Sequence, residues 1–451
     1  MQKYADYTPA PAAWLDELPS HWQCTKIGAL FSERKSKVSD KDYAPLSVAR
    51  IGVVPQLATA VKTDAGDNRK LVCAGDFVIN SRSDRKGSCG VAKLDGSVSL
   101  INIVLTPRNG LSERYVHYLL RSQPFSEEYY RNGRGIVADL WTTRYSELKS
   151  ILLPVPPREE QDQIVRFLDW KVSSINKLIN IKKKEIKAID ALKRSIISHV
   201  ITHGLMPDVP MKYSGVKWLG DIPAHWQTIK LKRVTKVRNE KGIYTPNSED
   251  KYIGLENIKG YSNNISITSS EHDVSVQCIC HSGDLMFSKL RPYLAKTVIV
   301  PYNCFCTGEM MVISAFNGDM RFLRYVMLHE RFIDSVNSST YGAKMPRANS
   351  SYILNMQVPI PQVDEQQKIA DYIDEKVLQI DMATKKYKQI IDDLQVLKTR
   401  LISDTVTGKI DVRGDVRGIE IPEYEFVDED ADADNEYDSE EDTEEQEGAE
   451  E

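Results

Sequence analysis

The chain has 451 residues, 41% of them hydrophobic and 8% aromatic, which is enough for two or three globular domains with substantial cores. Its formal net charge is -5, but 17 of its 64 acidic residues lie between Glu423 and Glu451, leaving 59 basic against 47 acidic residues in positions 1–422. This balance suits a polyanionic partner, although a solvated surface would also account for it, and the lack of long apolar stretches predicts a cytoplasmic protein rather than a membrane or secreted one.

Two short motifs each occur twice along the chain. The first, Trp14–Gln23 (WLDELPSHWQ), returns as Trp218–Gln227 (WLGDIPAHWQ). The second, Pro154–Gln161 (PVPPREEQ), returns as Pro359–Gln366 (PIPQVDEQ), and between the motifs the copies share only isolated residues. The sequence therefore predicts two tandem copies that have similar ends and divergent middles.

The divergent middles alternate β-rich runs with Gly, Asn and Ser breaks. Runs of this kind occupy residues 76–80 and 98–105 in the first copy and residues 297–300 in the second. This pattern predicts a mixed α/β globule in each copy.

We call each proline-rich motif, Pro154–Gln161 and Pro359–Gln366, an elbow. A long helix is predicted after each elbow, because the carboxylates of the motif would lie in the first turn, at the positive end of the helix dipole. Each predicted helix runs about 40 residues, or roughly 60 Å, with an apolar heptad stripe. A shared antiparallel pair is favoured; the alternative is two amphipathic helices docked separately on their own domains. The stripe residues that we expect to form the helix–helix spacer are Leu168, Val172, Ile175, Ile179, Ile186 and Ile189, and Ile373, Val377, Ile380, Ile391 and Leu394.

Four segments resemble the specificity subunit of type I restriction-modification systems, and the resemblance covers nearly all of residues 14 to 417. They are Tyr213–Trp226 (YSGVKWLGDIPAHW), Gly283–Lys296 (GDLMFSKLRPYLAK), the elbow Pro359–Asp374 and Thr407–Arg413 (TGKIDVR). The first copy departs from the pattern at Asn80–Gly87 (NSRSDRKG), which concerns specificity rather than role. The acidic tail lies outside the shared region.

The resemblance implies a non-catalytic subunit that recognises a bipartite, asymmetric double-stranded DNA target, with the helices setting the distance between the half-sites. It implies docking with two modification (methyltransferase) subunits and with restriction (motor-nuclease) subunits. Methyl transfer, ATP-driven movement and cleavage would belong to those partners, so S-adenosylmethionine, ATP and magnesium are expected there, and no cofactor is expected in this chain.

The predicted fold is α+β: two mixed α/β target-recognition domains in tandem, each followed by a long helix, the helices packing as an antiparallel coiled coil with pseudo-two-fold symmetry. The predicted boundaries are 1–157 and 204–362 for the recognition domains, 158–203 and 363–406 for the helices, 407–422 for a C-terminal segment and 423–451 for a disordered acidic tail.

No catalytic motif supports an enzyme. The sequence lacks the phosphate loop GxxxxGK[ST], a GxGxxG turn after a strand, and the metalloprotease pattern HExxH. The alternatives to the specificity subunit are a coiled-coil scaffold without a DNA role and a recognition subunit of another defence complex. A scaffold would not need two basic, divergent globular modules.

Seven cysteines fit reduced thiols better than a disulfide framework. Cys278, Cys280, Cys304 and Cys306, with His272 and His281 nearby, could form a zinc site, because alternate strand residues face one side. Their spacing differs from the common CxxC knuckles, and free cysteines are often buried, so paired core strands are the favoured interpretation and no metal site is predicted.

DNA contacts are expected from basic residues in glycine-rich or polar loops, where a guanidinium can enter a groove. Arginine is the usual bidentate partner of guanine, whereas lysine more often pairs with phosphate. Arg291 stands in the part most typical of the family, so a structural role is an alternative for it. The candidates are Arg82, Arg85, Lys86, Arg134 and Arg144 in the first copy, and Lys289, Arg291, Lys344 and Arg347 in the second.

Overall fold

The computed structural model describes residues 2–57, 66–82, 85–108, 110–135, 141–245, 251–266, 274–342 and 344–414. The chain divides into two compact units: unit 1 comprises Met1–Lys182 with Gln389–Glu451, and unit 2 comprises Lys183–Lys388. Among the described helices, none combines the length and apolar character that crossing a bilayer requires. The acidic tail predicted at 423–451 lies outside the described residues.

The globular part of unit 1 is built of short strands and four short helices. In chain order they are β1 (Tyr7–Pro9), β2 (Glu17–Pro19), β3 (Gln23–Lys26), α1 (Ile27–Leu30), β4 (Phe31–Glu33), β5 (Lys37–Val38), β6 (Leu46–Ala49), β7 (Gly52–Pro55), β8 (Arg69–Val72), β9 (Phe77–Asn80), β10 (Cys89–Val91), β11 (Gly96–Val98), β12 (Asn102–Pro107), α2 (Glu113–Arg121), α3 (Gln123–Arg131), α4 (Tyr145–Leu148) and β13 (Leu152–Val155).

Unit 1 is organised around a four-stranded sheet of order β10-β9-β12-β4, whose neighbours all pair antiparallel. A three-stranded sheet of order β11-β8-β5 and the pairs β13-β3, β1-β2 and β6-β7 complete it. Val78, Val98 and Val104 are fully buried in one core cluster. The run expected at 98–105 is divided between β11 and β12, because a turn in which Asn102 N–H donates to the Ser99 carbonyl (3.0 Å) interrupts it.

Unit 2 contains the second globular part. In chain order its elements are β14 (Met211–Tyr213), β15 (Asp221–Pro223), β16 (Gln227–Lys230), α6 (Leu231–Val234), β17 (Thr235–Val237), β18 (Lys241–Tyr244), β19 (Tyr252–Ile253), β20 (Ser275–Cys280), β21 (Leu285–Ser288), a 3-10 turn (Pro292–Leu294), β22 (Thr297–Ile299), β23 (Cys304–Cys306), β24 (Met310–Phe316), α7 (Met320–Met327), α8 (Glu330–Asn337), α9 (Ser350–Asn355) and β25 (Gln357–Ile360).

The sheet order of unit 2 follows that of unit 1. Its four-stranded sheet β17-β24-β21-β22 corresponds to β4-β12-β9-β10, and the pairs β16-β25 and β14-β15 correspond to β3-β13 and β1-β2. A second four-stranded sheet has the order β18-β20-β23-β19, with β19 and β23 parallel. The larger core includes Phe287, Phe322 and Phe332, all essentially inaccessible. The two divergent middles therefore rest on a shared plan.

Two long helices contribute to both units. Helix α5 (Arg158–His203) has 46 residues and α10 (Val363–Val406) has 44. In unit 1, Lys398 Nζ donates to Asn176 Oδ1 (3.2 Å), and in unit 2, Lys193 Nζ donates to Asp381 Oδ1 (2.8 Å). From the first contact to the second, the position on α5 advances from Asn176 to Lys193. The position on α10 goes back by the same number of residues, from Lys398 to Asp381. The helices pack antiparallel, as predicted.

The spacer residues predicted from the heptad stripe avoid the solvent-facing side of these helices. Leu168, Ile175, Ile179, Ile373 and Ile391 are buried. The remaining ones are half-buried, namely Val172, Ile186, Ile189, Val377, Ile380 and Leu394.

The repeated tryptophan motif anchors each globular part to the first turn of a long helix. In unit 1, Glu160 of α5 accepts hydrogen bonds from Tyr4 Oη (2.6 Å) and Trp22 Nε1 (3.1 Å), and its other oxygen lies 2.7 Å from His21 Nε2. In unit 2, Glu365 of α10 accepts from Trp226 Nε1 (3.0 Å) and lies 3.0 Å from His225 Nε2. The motif is repeated because each unit needs this anchor.

The glutamine that follows each of these glutamates holds the elbow to the domain. Gln161 Nε2 donates to the Pro156 carbonyl (3.0 Å), while its Oε1 accepts from the N–H of Ser112 just before α2 (2.8 Å). Gln366 makes the corresponding bonds to the Pro361 carbonyl (2.9 Å) and the Asp319 N–H (3.1 Å). Both glutamines are buried, so these bonds orient the elbow without competition from water.

The long helices end on glycines that pack on the same tryptophans. Gly204, after α5, has φ +72°, and an added Cβ would lie 3.3 Å from Trp226. Gly408, beyond α10, has φ +78°, and its Cβ would lie 2.5 Å from Pro19. Positive φ is reached easily only by glycine, so both positions stop a helix and admit an aromatic ring.

Candidate nucleic-acid interface

Three loop segments of unit 1 meet beyond the end of β9. Thr142 forms antiparallel bridges with both Arg82 and Arg134. Arg134 N–H donates to the Thr142 carbonyl (3.2 Å) and Thr142 N–H donates to the Arg134 carbonyl (3.0 Å). We call the triplet Arg82, Thr142 and Arg134 the first bridge. It places two exposed arginines from distant parts of the sequence on either side of a threonine.

The other basic candidates of unit 1 lie around the first bridge. Tyr130 Oη donates to the Arg85 carbonyl (3.1 Å), and Lys86 Nζ lies 5.5 Å from the centre of the Tyr130 ring. Arg144 is exposed at the N-cap position of α4, two residues after Thr142. Five predicted residues are thereby brought into one loop region, since the described parts of 80–88 (80–82 and 85–88), 130–134 and 141–144 are tied together by hydrogen bonds.

Unit 2 repeats the bridge with different side chains. Arg347 forms antiparallel bridges with Leu290 on one side and Tyr341 on the other. We call Leu290, Arg347 and Tyr341 the second bridge. Its central segment corresponds to that of the first, because Ala348 N–H donates to the Lys289 carbonyl (2.8 Å) as Thr143 N–H donates to the Ser81 carbonyl (3.0 Å). In the second bridge the arginine lies on the middle segment, whereas in the first bridge the arginines lie on the two outer segments.

The Arg347 side chain forms an ion pair at the edge of the second bridge. Its Nε donates to Glu309 Oε2 (2.8 Å) and its Nη2 donates to Glu309 Oε1 (2.5 Å). The arginine side chain is 45% exposed and the glutamate side chain 26%. The guanidinium is therefore oriented by a fixed partner while it still faces solvent.

The remaining candidates of unit 2 differ in how freely they could reach DNA. Lys289 is half-buried, and its Nζ donates to the Gly308 carbonyl (2.7 Å). Arg291 has φ +47°, its N–H donates to the Pro346 carbonyl (2.8 Å), and its Nε is buried. Lys344 is exposed. The fixed backbone and buried Nε of Arg291 favour the structural alternative for this residue, while Lys344 has the access that a phosphate contact needs.

An arginine–aspartate pair with a buried carboxylate stands at the start of the strand that leads into each bridge. Arg34 of unit 1 holds Asp76 through two bonds (2.7 and 3.0 Å), and Arg238 of unit 2 holds Asp284 in the same way (2.7 and 3.1 Å). Hydrogen bonding to the aspartate raises the pKa of each arginine. Each aspartate immediately precedes the strand, β9 or β21, that leads into a bridge.

The four cysteines of unit 2 lie on paired core strands, as favoured from the sequence. Cys280 Sγ lies 3.3 Å from Cys306 Sγ, and β20 aligns Cys280 with Cys304. Hydrogen bonds to Cys280 and burial raise the pKa of Cys304 and of Cys306, so these two thiols are neutral, whereas the same hydrogen bonds lower the pKa of Cys280. Within the described part of the chain, no group of three or more His, Cys, Asp or Glu side chains is arranged to hold a metal ion. His272 lies outside the described residues.

Sequence reasoning missed Glu309, Tyr341 and Arg50. Glu309 is separated by 38 residues from Arg347, and nothing in the local sequence indicates that the two meet. Tyr341 is 61% exposed although aromatic side chains usually indicate a core. Arg50 Nε donates to the Lys86 carbonyl (3.2 Å), joining the basic region of unit 1 through a loop pairing that the sequence does not reveal.

Comparison with known proteins gives concordant results. Residues 223–391 match the family model for the type I restriction modification DNA specificity domain. The specificity subunit of type I restriction enzyme MjaVIII from Methanocaldococcus jannaschii is 22% identical over 420 residues, covering 88% of this chain and 94% of that protein. The EcoDI specificity subunit from Escherichia coli is 19% identical over 432 residues, covering 87% and 90%.

One solved structure also resembles this chain along most of its length. It comes from a study of complex assembly and conformational transition of the type I R-M system, and it aligns with a TM-score of 0.63 at 14% identity. The alignment covers 87% of this chain and 99% of the solved one. This likeness confirms the predicted α+β fold, with tandem mixed domains and two long helices.

Proposed function

We propose that this chain is a type I restriction-modification specificity subunit, a non-catalytic subunit that recognises a bipartite, asymmetric DNA sequence. The globular part of unit 1 would bind one half-site and that of unit 2 the other. Double-stranded DNA is then the ligand, and base edges in the grooves are the groups to be recognised.

The pair of bridges is the observation that carries this proposal. Both units present three joined loop segments at the end of the corresponding strand, β9 or β21, but Arg82, Thr142 and Arg134 are replaced by Leu290, Arg347 and Tyr341. A shared frame with exchanged exposed side chains is what two related modules need in order to recognise unlike half-sites. A scaffold would gain nothing from this exchange.

The chemistry would be supplied by partners. We propose that two modification subunits and the restriction subunits bind this chain, and that S-adenosylmethionine, ATP and magnesium serve those partners. Helices α5 and α10, which contribute to both units, would set the length of an unread spacer between the half-sites. Two half-sites on one face of B-DNA recur about every 34 Å, a distance that helices of this length can span.

The direct test is to co-express the chain with its modification subunits, purify the complex and map methylated bases in genomic DNA. We expect co-purification and methylation at one split sequence, which disappears when this chain is omitted. Loss of methylation without the chain identifies it as the specificity determinant. A chain that binds no modification subunit and changes no methylation would instead be a scaffold.

A further inference from the structure

We propose that Arg347 recognises a guanine in the half-site bound by unit 2, and that Glu309 is the positioning residue that aims its guanidinium. This inference rests on the proposed function. It adds which base is recognised, which residue contacts that base and which residue positions the contacting side chain.

The geometry of the ion pair leaves the recognition edge of the arginine open. A guanidinium carries five N–H groups in one plane, and Glu309 takes the edge formed by Nε and Nη2. The opposite edge, formed by Nη1 with the second hydrogen of Nη2, makes no hydrogen bond to any residue that the structure describes. Two parallel donors of this kind match O6 and N7 of guanine in the major groove.

The backbone of Arg347 is fixed from both sides. On one side, Arg347 N–H donates to the Tyr341 carbonyl (3.0 Å) and Tyr341 N–H donates to the Arg347 carbonyl (3.2 Å). On the other, the bonds from Ala348 N–H to the Lys289 carbonyl (2.8 Å) and from Arg291 N–H to the Pro346 carbonyl (2.8 Å) hold its neighbours. The Cα position is thus set before any ligand arrives, which reduces the entropy lost when the side chain binds.

Glu309 is fixed as well. Lys289 N–H donates to the Glu309 carbonyl (2.9 Å), and Lys289 Nζ donates to the carbonyl of the preceding Gly308 (2.7 Å). The backbone of Glu309 is therefore held beside the segment that leads from β21 into the second bridge. An ion pair as exposed as this one contributes little to folding, so its geometry is better explained by orienting the arginine.

The corresponding position of unit 1 predicts a different preference. Thr142 takes the place of Arg347 there, and Ile101 stands where Glu309 stands relative to the paired strands. The fixed arginine–carboxylate pair therefore belongs to unit 2 alone at this position of the bridge. The guanine preference should be confined to one half-site of the split target.

The test uses the complex of the full chain with its modification subunits. The wild-type target is first mapped by methylation, and each base pair of both half-sites is then replaced singly in synthetic duplexes. Binding is measured for the wild type and for R347A, R347K and E309Q. Wild-type binding should fall about 10- to 100-fold when one guanine is replaced, the range expected for a bidentate arginine–guanine contact.

In R347A this loss should shrink to within about twofold. R347K should keep only part of it, because an ammonium group lacks the planar pair of donors that Glu309 orients in the arginine. E309Q should weaken the same preference while leaving the other positions unchanged. K344A is the matched control, since it removes an exposed charge three residues away and should lower affinity equally for all bases.

If R347K keeps the full guanine preference, an oriented planar pair of donors is not what selects guanine, and the proposal is wrong. The same conclusion follows if R347A leaves every base preference intact. Both results are obtained on a complex whose wild-type form methylates a split sequence, so they would overturn this inference while the proposed function stands. Failure of the wild type to select any sequence would instead overturn both.

Discussion

Replacing Glu160 by alanine should destabilise unit 1 more than replacing Glu365 by alanine destabilises unit 2. Glu160 accepts hydrogen bonds from two buried donors, Tyr4 Oη and Trp22 Nε1. Within the described residues, Glu365 accepts from a single buried side-chain donor, the indole of Trp226. The histidine partners are well exposed, with side chains 39% and 47% accessible, and add little.

The size of each destabilisation follows from the number of buried donors that lose their acceptor. Each buried, unsatisfied donor costs about 1–3 kcal/mol, and loss of a carboxylate from a first helical turn costs about 0.3–1 kcal/mol. E160A should therefore lower the local free energy of unfolding by about 2–7 kcal/mol, and E365A by about 1–4 kcal/mol. E160Q, which retains an acceptor, should lie between the wild type and E160A.

Hydrogen exchange measured by mass spectrometry separates the two units, which a single melting temperature would not do for a chain with two compact parts. Peptides around Tyr4 and Trp22 in E160A should exchange at least about 30-fold faster, since 1.4 kcal/mol corresponds to a factor of ten. Peptides around Trp226 should change little. Equal losses in E160A and E365A, or none in either, would refute the reasoning from buried donors.

Three further outcomes are expected. Burial, with a smaller contribution from Arg331, lowers the pKa of His329 to about 4 from 6.5, so the unfolded chain takes up this proton first. Unit 2 should therefore lose at most about 3 kcal/mol of stability as pH falls from about 6.5 to 4. In H329N, which keeps a hydrogen-bond acceptor at the start of α8, hydrogen exchange should show a weaker dependence of stability on pH. G408A should cost about 1–3 kcal/mol in urea unfolding because its φ is positive and its Cβ meets Pro19; an unchanged midpoint would contradict this. In the duplex assay, R134A should reduce base preference by about 1–3 kcal/mol, and only in the half-site bound by unit 1. An effect on the other half-site would exclude Arg134 as a base contact of unit 1.

The sequence predicted most of the frame because the frame is made of local signals and a repeat. The paired Trp and Pro-Glu-Gln motifs indicated two copies, and the heptad stripe indicated the helix pair. The bonds that join those motifs, such as Trp22 to Glu160, gave the repeat its physical cause only once the structure was in hand.

The functional surface was less accessible to sequence reasoning. The basic loop residues could be chosen by type, but their grouping could not, because the bridges join segments that lie far apart along the chain. Glu309 was missed for the same reason, and Arg291 was ambiguous until its left-handed backbone and buried Nε were visible. Divergent middles carry few periodic signals, so their loop pairings depend on tertiary contacts.

The anchoring contacts of Glu160, Glu365, Gln161 and Gln366 have a consequence for how such proteins diversify. They connect the helices and elbows mainly to motifs at the margins of each recognition part, outside its divergent middle. A genetic exchange that replaces the segment between one Trp motif and the following elbow would leave most of the anchor in place and unchanged. Such proteins could then acquire specificity for a new half-site in one recombination event. Point mutations would instead have to change the DNA-contacting side chains one at a time while preserving the contacts that hold the domain to the helices.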